Sequence, residues 1–343
     1  MKRFSVRYKI FFFIAFGALF QTCVDPLGFD TRQEDDILVV DGRVNLNDSV
    51  QTVSLTHTDY VGRSAKFPPE QGATLTLMEN DKPVASFLEA EPGIYKAFDF
   101  KPTIGYRYSI DIQLQNGDHY ASQPEAMPSP VPIDSAYFTF DRKRNLTIFS
   151  NIYIPQDGTV PYLRWRIQHV YQHSDIVCGS LDVVGICYYE LEREGDNQNL
   201  ILLNGGELER GTQVVFPVVK VAVTDSIFGE ITYFTVYQES LPVATFQYWE
   251  KVNTLITQTG SIFDAPPGPV RGNIFKVDDP NAVVLGLFYP TSEDYARIKT
   301  LPSDFSPLHI NPYCGIPGIP PNPFPYPDCC YCKFGIPKPD YWK

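Results

Sequence analysis

After its first nine residues this chain has no dense cluster of lysine and arginine. That removes nucleic acid from the expected partners, because phosphate binding needs concentrated positive charge. Its 28 basic residues stand against 40 acidic ones, a net charge of −12, which favours solubility. No apolar run reaches spanning length either. Ile10–Phe20 holds eleven residues, whereas a bilayer needs about 20. No G-x-S-x-G elbow, Walker loop or H-E-x-x-H pair occurs, and no repeat of fixed period. The expectation is a protein with no enzymatic activity, no cofactor and no resident metal.

What is present begins at the amino terminus. Lys2, Arg3, Arg7 and Lys9 precede the short apolar run, and Gln21-Thr22-Cys23 follows it. A basic start before a short apolar core is the pattern of an export signal. Cys23, directly after the run, is the expected lipid attachment site, and two or three acyl chains would anchor the protein stably to a membrane. Residues 1–22 thus read as a lipoprotein export signal. Residues 23–36, polar and ending in Glu34-Asp35-Asp36, read as a tether.

Six further cysteines remain, an even number that suits disulfides in an oxidising compartment. Cys178 and Cys187 lie nine apart across Gly179 and Gly185, as a local bridge closing a hairpin loop would. Cys314, Cys329, Cys330 and Cys332 crowd the carboxyl end, and their pairing is not readable from spacing. Cys329 and Cys332 also have zinc-ligand spacing, but disulfides are the expectation.

The 30 prolines, 21 tyrosines and 24 phenylalanines favour short strands and frequent turns. Alternation of period two marks strands at 37–44, 51–57, 73–78, 84–88, 93–100, 106–114 and 119–121. Asn116-Gly117 is a hairpin signal, because that turn needs positive φ. Residues 37–126 are expected to form an immunoglobulin-like β-sandwich. Met127–Pro132, rich in proline, reads as the boundary. A second β-rich domain is expected over 133–300, with strands at 133–140, 145–154, 162–171, 199–203, 213–223 and 230–239. The more polar stretch 188–209 reads as including an exposed loop. One helix is expected at about 241–258: Ser240 can cap it, Pro242 fits its first turn, and Leu241, Ala244, Tyr248, Val252 and Leu255 form its apolar stripe. Residues 301–343 are too rich in proline for a helix or central strand. They read as a disulfide-clamped segment lying over the body.

Several blocks, in order, resemble an uncharacterised family of Bacteroidota outer-membrane lipoproteins, "domain of unknown function forty-two forty-nine". They are Leu38–Gly42, Gly93–Tyr95, Gly105–Tyr108, Gly117–Ser122, Ile133–Ser135, Ser240–Trp249, Gly260–Pro267, Gly272-Asn273, Val284–Phe288 and, at the end, Lys338–Trp342. The extra Cys330 inside the terminal cysteine pair departs from the pattern. The resemblance implies a protein lipid-anchored in the outer membrane and exposed at the cell surface, acting as accessory to a TonB-dependent receptor in nutrient uptake. It carries no catalytic residues over. A subunit of an outer-membrane assembly or secretion machine is the second reading, and direct capture of glycan the third, since exposed aromatics on β-sandwiches stack on sugar rings.

Minor chemical candidates are weaker. His169 and His173 could share a strand face, but no third ligand accompanies them. Asp278-Asp279 reads as a turn before Pro280, with calcium as the sharper alternative. Asp48-Ser49-Val50, Asp134-Ser135-Ala136 and Asp225-Ser226-Ile227 resemble an O-glycosylation triplet.

Overall fold

A computed structural model describes residues 36–58, 67–156, 158, 160–175, 185–193, 200–258, 269–306 and 335–343. The chain divides into two units, 1–35 and 36–343. The first, with Cys23, lies outside the described residues.

The second unit is mostly β and sandwich-like. Alternation builds its first strands. In β1 (Leu38–Asn45) and β2 (Val50–His57), Leu38, Val40, Val53 and Leu55 turn inward while Asp41 and Thr52 turn out. Each fully buried aliphatic side chain contributes about 1.5–3 kcal/mol. Strands β3 (Thr74–Glu79), β4 (Lys82–Glu91), β5 (Ile94–Phe98), β6 (Arg107–Gln113), β7 (His119–Ser122) and the short β8 (Glu125–Ala126) follow. One layer runs β1-β2-β5-β4 and the other β3-β6-β7. Strand β4 belongs to both. Its first residues pair with β3 and its last with β5, with an irregular register on each side. The β3–β4 turn is Asn80-Asp81, both at positive φ (47° and 63°), a two-residue hairpin of the favoured kind. At the expected Asn116-Gly117 turn only Gly117 has positive φ, 95°. There the Asn116 side chain accepts the Asp118 N–H at 2.8 Å.

The second half supplies β9 (Ile133–Phe140), β10 (Asn145–Tyr153), β11 (Tyr162–Asp175), β12 (Gly185–Arg193), β13 (Ile201–Asn204), β14 (Gln213–Ala222) and β15 (Thr232–Ser240). A single-turn helix α1 (Asp225–Phe228), the long helix α2 (Val243–Gln258), β16 (Ile274–Lys276) and β17 (Leu285–Thr300) complete the described strands and α-helices. The sheet β14-β10-β9 packs against β12-β11-β15-β17. Between them lies an apolar core that includes Ile148, Trp165, Ile167, Val221 and Phe234.

The two sandwiches share a strand. The first half of β17 runs parallel to β1, from Val39↔Leu285 to Asn45↔Thr291. Its second half runs antiparallel to β15, from Ser240↔Ser292 to Thr232↔Thr300. Pro290 stands just before this handover, paired only on the β1 side, so its missing N–H breaks no ladder with β15. Strand β16 also returns, pairing with β7, and Ile274, Val284 and Phe288 enter the first core. Residues 37–126 therefore close their sandwich with strands from beyond residue 270. The close approach needs glycine. A Cβ on Gly272 would lie 1.7 Å from the Gly286 carbonyl oxygen, and one on Gly286, at φ +90°, would lie 1.9 Å from that of Val40.

Helix α2 lies where its periodicity predicts, but its buried face is rotated. Thr245 and Phe246 are buried, whereas Ala244 is exposed. Phe246 packs with Leu241, Leu287 and Tyr289, which draws that face toward β17. Ser240 does not cap the helix. Its hydroxyl accepts the Val131 N–H at 3.1 Å, tying the proline joint to β15. The stretch 188–209, expected to include an exposed loop and a strand at 199–203, contains the end of β12 and, as β13, that strand at Ile201–Asn204, while 194–199 lie outside the described residues. Beyond residue 301 the described pieces are a 3-10 turn, Pro302–Phe305, and residues 335–343. Among the described residues no helix is long and apolar enough to cross a membrane.

Candidate functional site

Where the sandwiches meet, five charged side chains converge on the shared strand. Arg43 comes from β1, Arg164 and Arg166 from β11, Glu239 from β15 and Glu293 from β17. Strand periodicity places them on one face, since Arg164 pairs with Glu239 and Glu239 with Glu293 across the sheet. Glu239 is fully buried. It is paired with Arg43 and, at 2.9 Å, with Arg164 Nε. Glu293 receives Arg166 Nη2 at 2.7 Å and Arg43 Nη1 at 3.1 Å. Burial works against the Arg43 charge, but Glu239, Tyr289 and Glu293 outweigh it and hold the guanidinium above the usual arginine range. The Arg164 guanidinium also lies over the Trp249 ring at 4.1 Å, so α2 is fastened to the same cluster. Three cations against two carboxylates, each in contact, make this a cross-link between sandwiches.

Beside it opens a cleft of about 790 Å³. Its walls are Met127–Val131 of the proline joint, Pro155 and Pro161 ahead of β11, and Ser240–Ala244 leading into α2. Ile104, Gly105 and Arg107 close one side. A mostly apolar cleft at a junction, with few polar groups, is the usual form of a binding site. Its buried ionisable group is Glu125, 8% exposed. Oε2 accepts the Thr245 hydroxyl at 2.8 Å, and Oε1 accepts the Asn273 side-chain amide at 3.0 Å. The Thr245 main-chain N–H also points to this carboxylate. Glu125 therefore caps α2 from a strand of the other sandwich, the role expected of Ser240. Burial raises its pKa, and the bonds from Thr245 and Asn273 oppose that rise only in part. Asn273 in turn mimics a strand: its amide donates to the Phe288 carbonyl at 2.6 Å and accepts the Phe288 N–H at 3.0 Å. Three blocks singled out in the sequence, Gly105–Tyr108, Ser240–Trp249 and Gly272-Asn273, thus gather around Glu125.

A third feature is the outer face of β11, β15 and β17. Tyr237 and Tyr295 stand 6.1 Å apart, with Arg166 over Tyr237 at 4.8 Å and Arg297 near Tyr295 at 5.3 Å. Tyr295 is 57% exposed. The carboxyl-terminal residues pack on this face. Trp342 is buried and donates its indole N–H to Gln172 at 3.1 Å, Arg297 lies over Tyr341 at 3.7 Å, and the Lys343 carbonyl accepts Lys299 Nζ at 2.9 Å.

Of the cysteines, Cys187 is described; it is buried on β12 and disulfide-bonded. Cys178, Cys314, Cys329, Cys330 and Cys332 lie outside the described residues, so the clamp expected of the carboxyl segment does too. His169 and His173 both lie on β11. His169 is packed in the second core, stacked on Phe234 at 4.1 Å, and His173 stands opposite Cys187 in register. Among the described residues no three of His, Cys, Asp and Glu are grouped to hold a metal ion. Asp279 forms a turn, accepting the Asn281 N–H at 3.2 Å. Sequence reasoning missed Glu125 and the charge cluster. The available signal was Glu239, a carboxylate inside an otherwise strand-like run.

The profile of a family described as "Domain of unknown function (DUF4249)" matches residues 24–296. No curated protein matches the chain. Among solved structures, the chain is similar to "Biofilm associated protein - BSP domain" at 11% identity, covering 58% of this chain and 26% of that one, with a TM-score of 0.22. It is also similar to "Structure of Yersinia pseudotuberculosis adhesin InvE" at 13% identity, covering 59% and 54%, with a TM-score of 0.17. The chain spans less than two thirds of either structure.

Proposed function

This chain belongs to the DUF4249 family, and on that premise we propose that it is a non-enzymatic, lipid-anchored accessory protein of the outer membrane, exposed at the cell surface. Its partner in this reading is a TonB-dependent receptor, and its role is nutrient uptake. The basic start and short apolar run ending at Cys23 support the anchor. The observation that carries a binding role is the cleft at the junction of the sandwiches. The first sandwich is read as immunoglobulin-like, and the carboxyl segment as disulfide-clamped.

Co-purification from native membranes in mild detergent tests the reading. The carboxyl terminus is a poor place for a tag, because Trp342 is buried and Lys343 is bonded to Lys299. Gly117 is better, since nothing lies within 4 Å of where a Cβ would stand. A TonB-dependent receptor recovered in stoichiometric amount supports the proposal. A different barrel moves it to assembly or secretion, and recovery alone ends it.

Exposed Tyr295 beside Tyr237 favours a second reading, direct glycan capture. Binding on a glycan array that Tyr295→Ala abolishes would support it over the first.

A further inference from the structure

We propose that the cleft binds a short, extended, apolar segment of a partner polypeptide through its main chain. This rests on the binding role above and names the chemistry of what enters the site.

The walls select against most other occupants. Pro124, Pro128, Pro130, Pro155, Pro161 and Pro242 all line the cleft. Proline has no N–H and a fixed φ. Such walls are stiff, so little ordering cost accompanies binding, and they offer apolar surface without donors. The two charged groups of the lining sit together at one side, Arg107 on β6 and Glu125 on β8. Glu125 accepts two side-chain hydrogen bonds, and a carboxylate has about four acceptor sites. Arg107 acts electrostatically on Glu125 and donates Nη2 to the Pro124 carbonyl, one of about five N–H donors on a guanidinium. One acceptor beside one donor matches the N–H and C=O of a peptide unit. The two charges offset each other, so a strongly acidic or basic ligand gains nothing that a neutral main chain lacks. Strand β8, which carries Glu125, pairs with β6 and has no second strand partner among the described residues. An added strand is a common way to complete such an edge. The volume, about 790 Å³, lies within the roughly 300–1,000 Å³ typical of sites that enclose most of their ligand.

The test is selection of displayed random short peptides on the purified, full mature chain, followed by anisotropy titration of the best synthetic peptide. Val243 lines the cleft and is 48% exposed, so Val243→Arg should fold with an unchanged melting temperature and obstruct the site. The expected result is an apolar peptide whose affinity falls about tenfold or more in Val243→Arg and falls also in the near-isosteric Glu125→Gln. Enrichment of nothing overturns the proposal. So does equal binding to all three proteins, or displacement of the peptide by dodecanol alone, which would mark a site for single acyl chains. Receptor co-purification that survives Val243→Arg would leave the accessory role standing and remove this use of the cleft. Loss of co-purification in the unmodified protein would remove the accessory role and leave peptide binding intact.

Discussion

The two cores are built from different materials. The first is aliphatic around β1–β7, with Val40, Leu55, Leu75, Leu77 and Ile112 all fully buried. Its tyrosines carry their hydroxyls to the rim, where Tyr95 donates to the Glu70 carbonyl at 2.8 Å and Tyr108 to Glu79 at 2.6 Å. The second core and the seam beside it bury polar groups in mid-sheet. Gln238 accepts the Trp165 indole N–H at 2.9 Å and donates to the Val131 carbonyl at 2.7 Å, and Glu239 follows it in the charge cluster. Apolar contact rewards any close packing of similar volume, whereas a buried amide or carboxylate is satisfied in one arrangement only. The first sandwich therefore holds mainly by area, with a buried polar pair, Gln51 on Asn45, at its edge. The junction holds by specific partners, and it is the junction that shapes the cleft.

Removing one partner at the seam should cut deepest. Glu239→Ala leaves Arg164 buried without its carboxylate, and breaking a buried pair costs about 3–5 kcal/mol. Urea unfolding should show that loss, and an effect under about 1 kcal/mol would mean that water already reaches the cluster. The first core should respond through volume alone. Leu77→Ala should cost about 3 kcal/mol, within the usual range for a buried leucine, while Leu77→Met should cost less than about 1.5 kcal/mol. A large penalty for Leu77→Met would erase the contrast between the cores. Gln238→Leu comes next, at about 2 kcal/mol, because the Trp165 N–H and the Val131 carbonyl both lose their partner without access to water. If the junction shapes the cleft, Gln238→Leu should also weaken ligand binding there, and Leu77→Ala should not.

The same contrast decided what could be read from the sequence. In the first sandwich, neighbouring strands are close in sequence and alternate cleanly, as at Gln51–His57 and Thr74–Glu79, so seven strands and their hairpins were legible. Helix α2 was legible because one face is apolar at three-to-four spacing, although the pull of Leu287 and Tyr289 on Phe246 rotates that face. Strand β17 was not. Pro290 argues against a central strand, Ser292-Glu293-Asp294 reads as surface, and its partners β1 and β15 lie some 250 and 50 residues away in register. Ser292 is buried and Glu293 half-buried because Arg43 and Arg166 meet Glu293, and pairing at that separation leaves no local trace. Glu125 was hidden for the same reason. It stands before a proline joint, and nothing nearby in sequence announces Thr245 or Asn273.

The smallest expected effect tests whether the cleft floor is as dry as the cores on either side. Glu125 is held above its ordinary carboxyl value of 4.5 by burial, with its hydrogen bonds opposing. A carboxyl group whose pKa is higher folded than unfolded binds its proton more tightly in the native state. Stability then falls as pH rises through the interval that begins near the unfolded value. Glu125→Gln removes that titration. It also alters the bonds from Thr245 and Asn273, but that part does not depend on pH. The stability of the protein relative to Glu125→Gln should therefore be greatest near pH 4 and decline toward pH 7, as thermal unfolding of both across the range would show. A flat difference would place Glu125 in contact with water. The cleft would then be a wet surface groove, and its polar edge too well solvated to reward a peptide main chain.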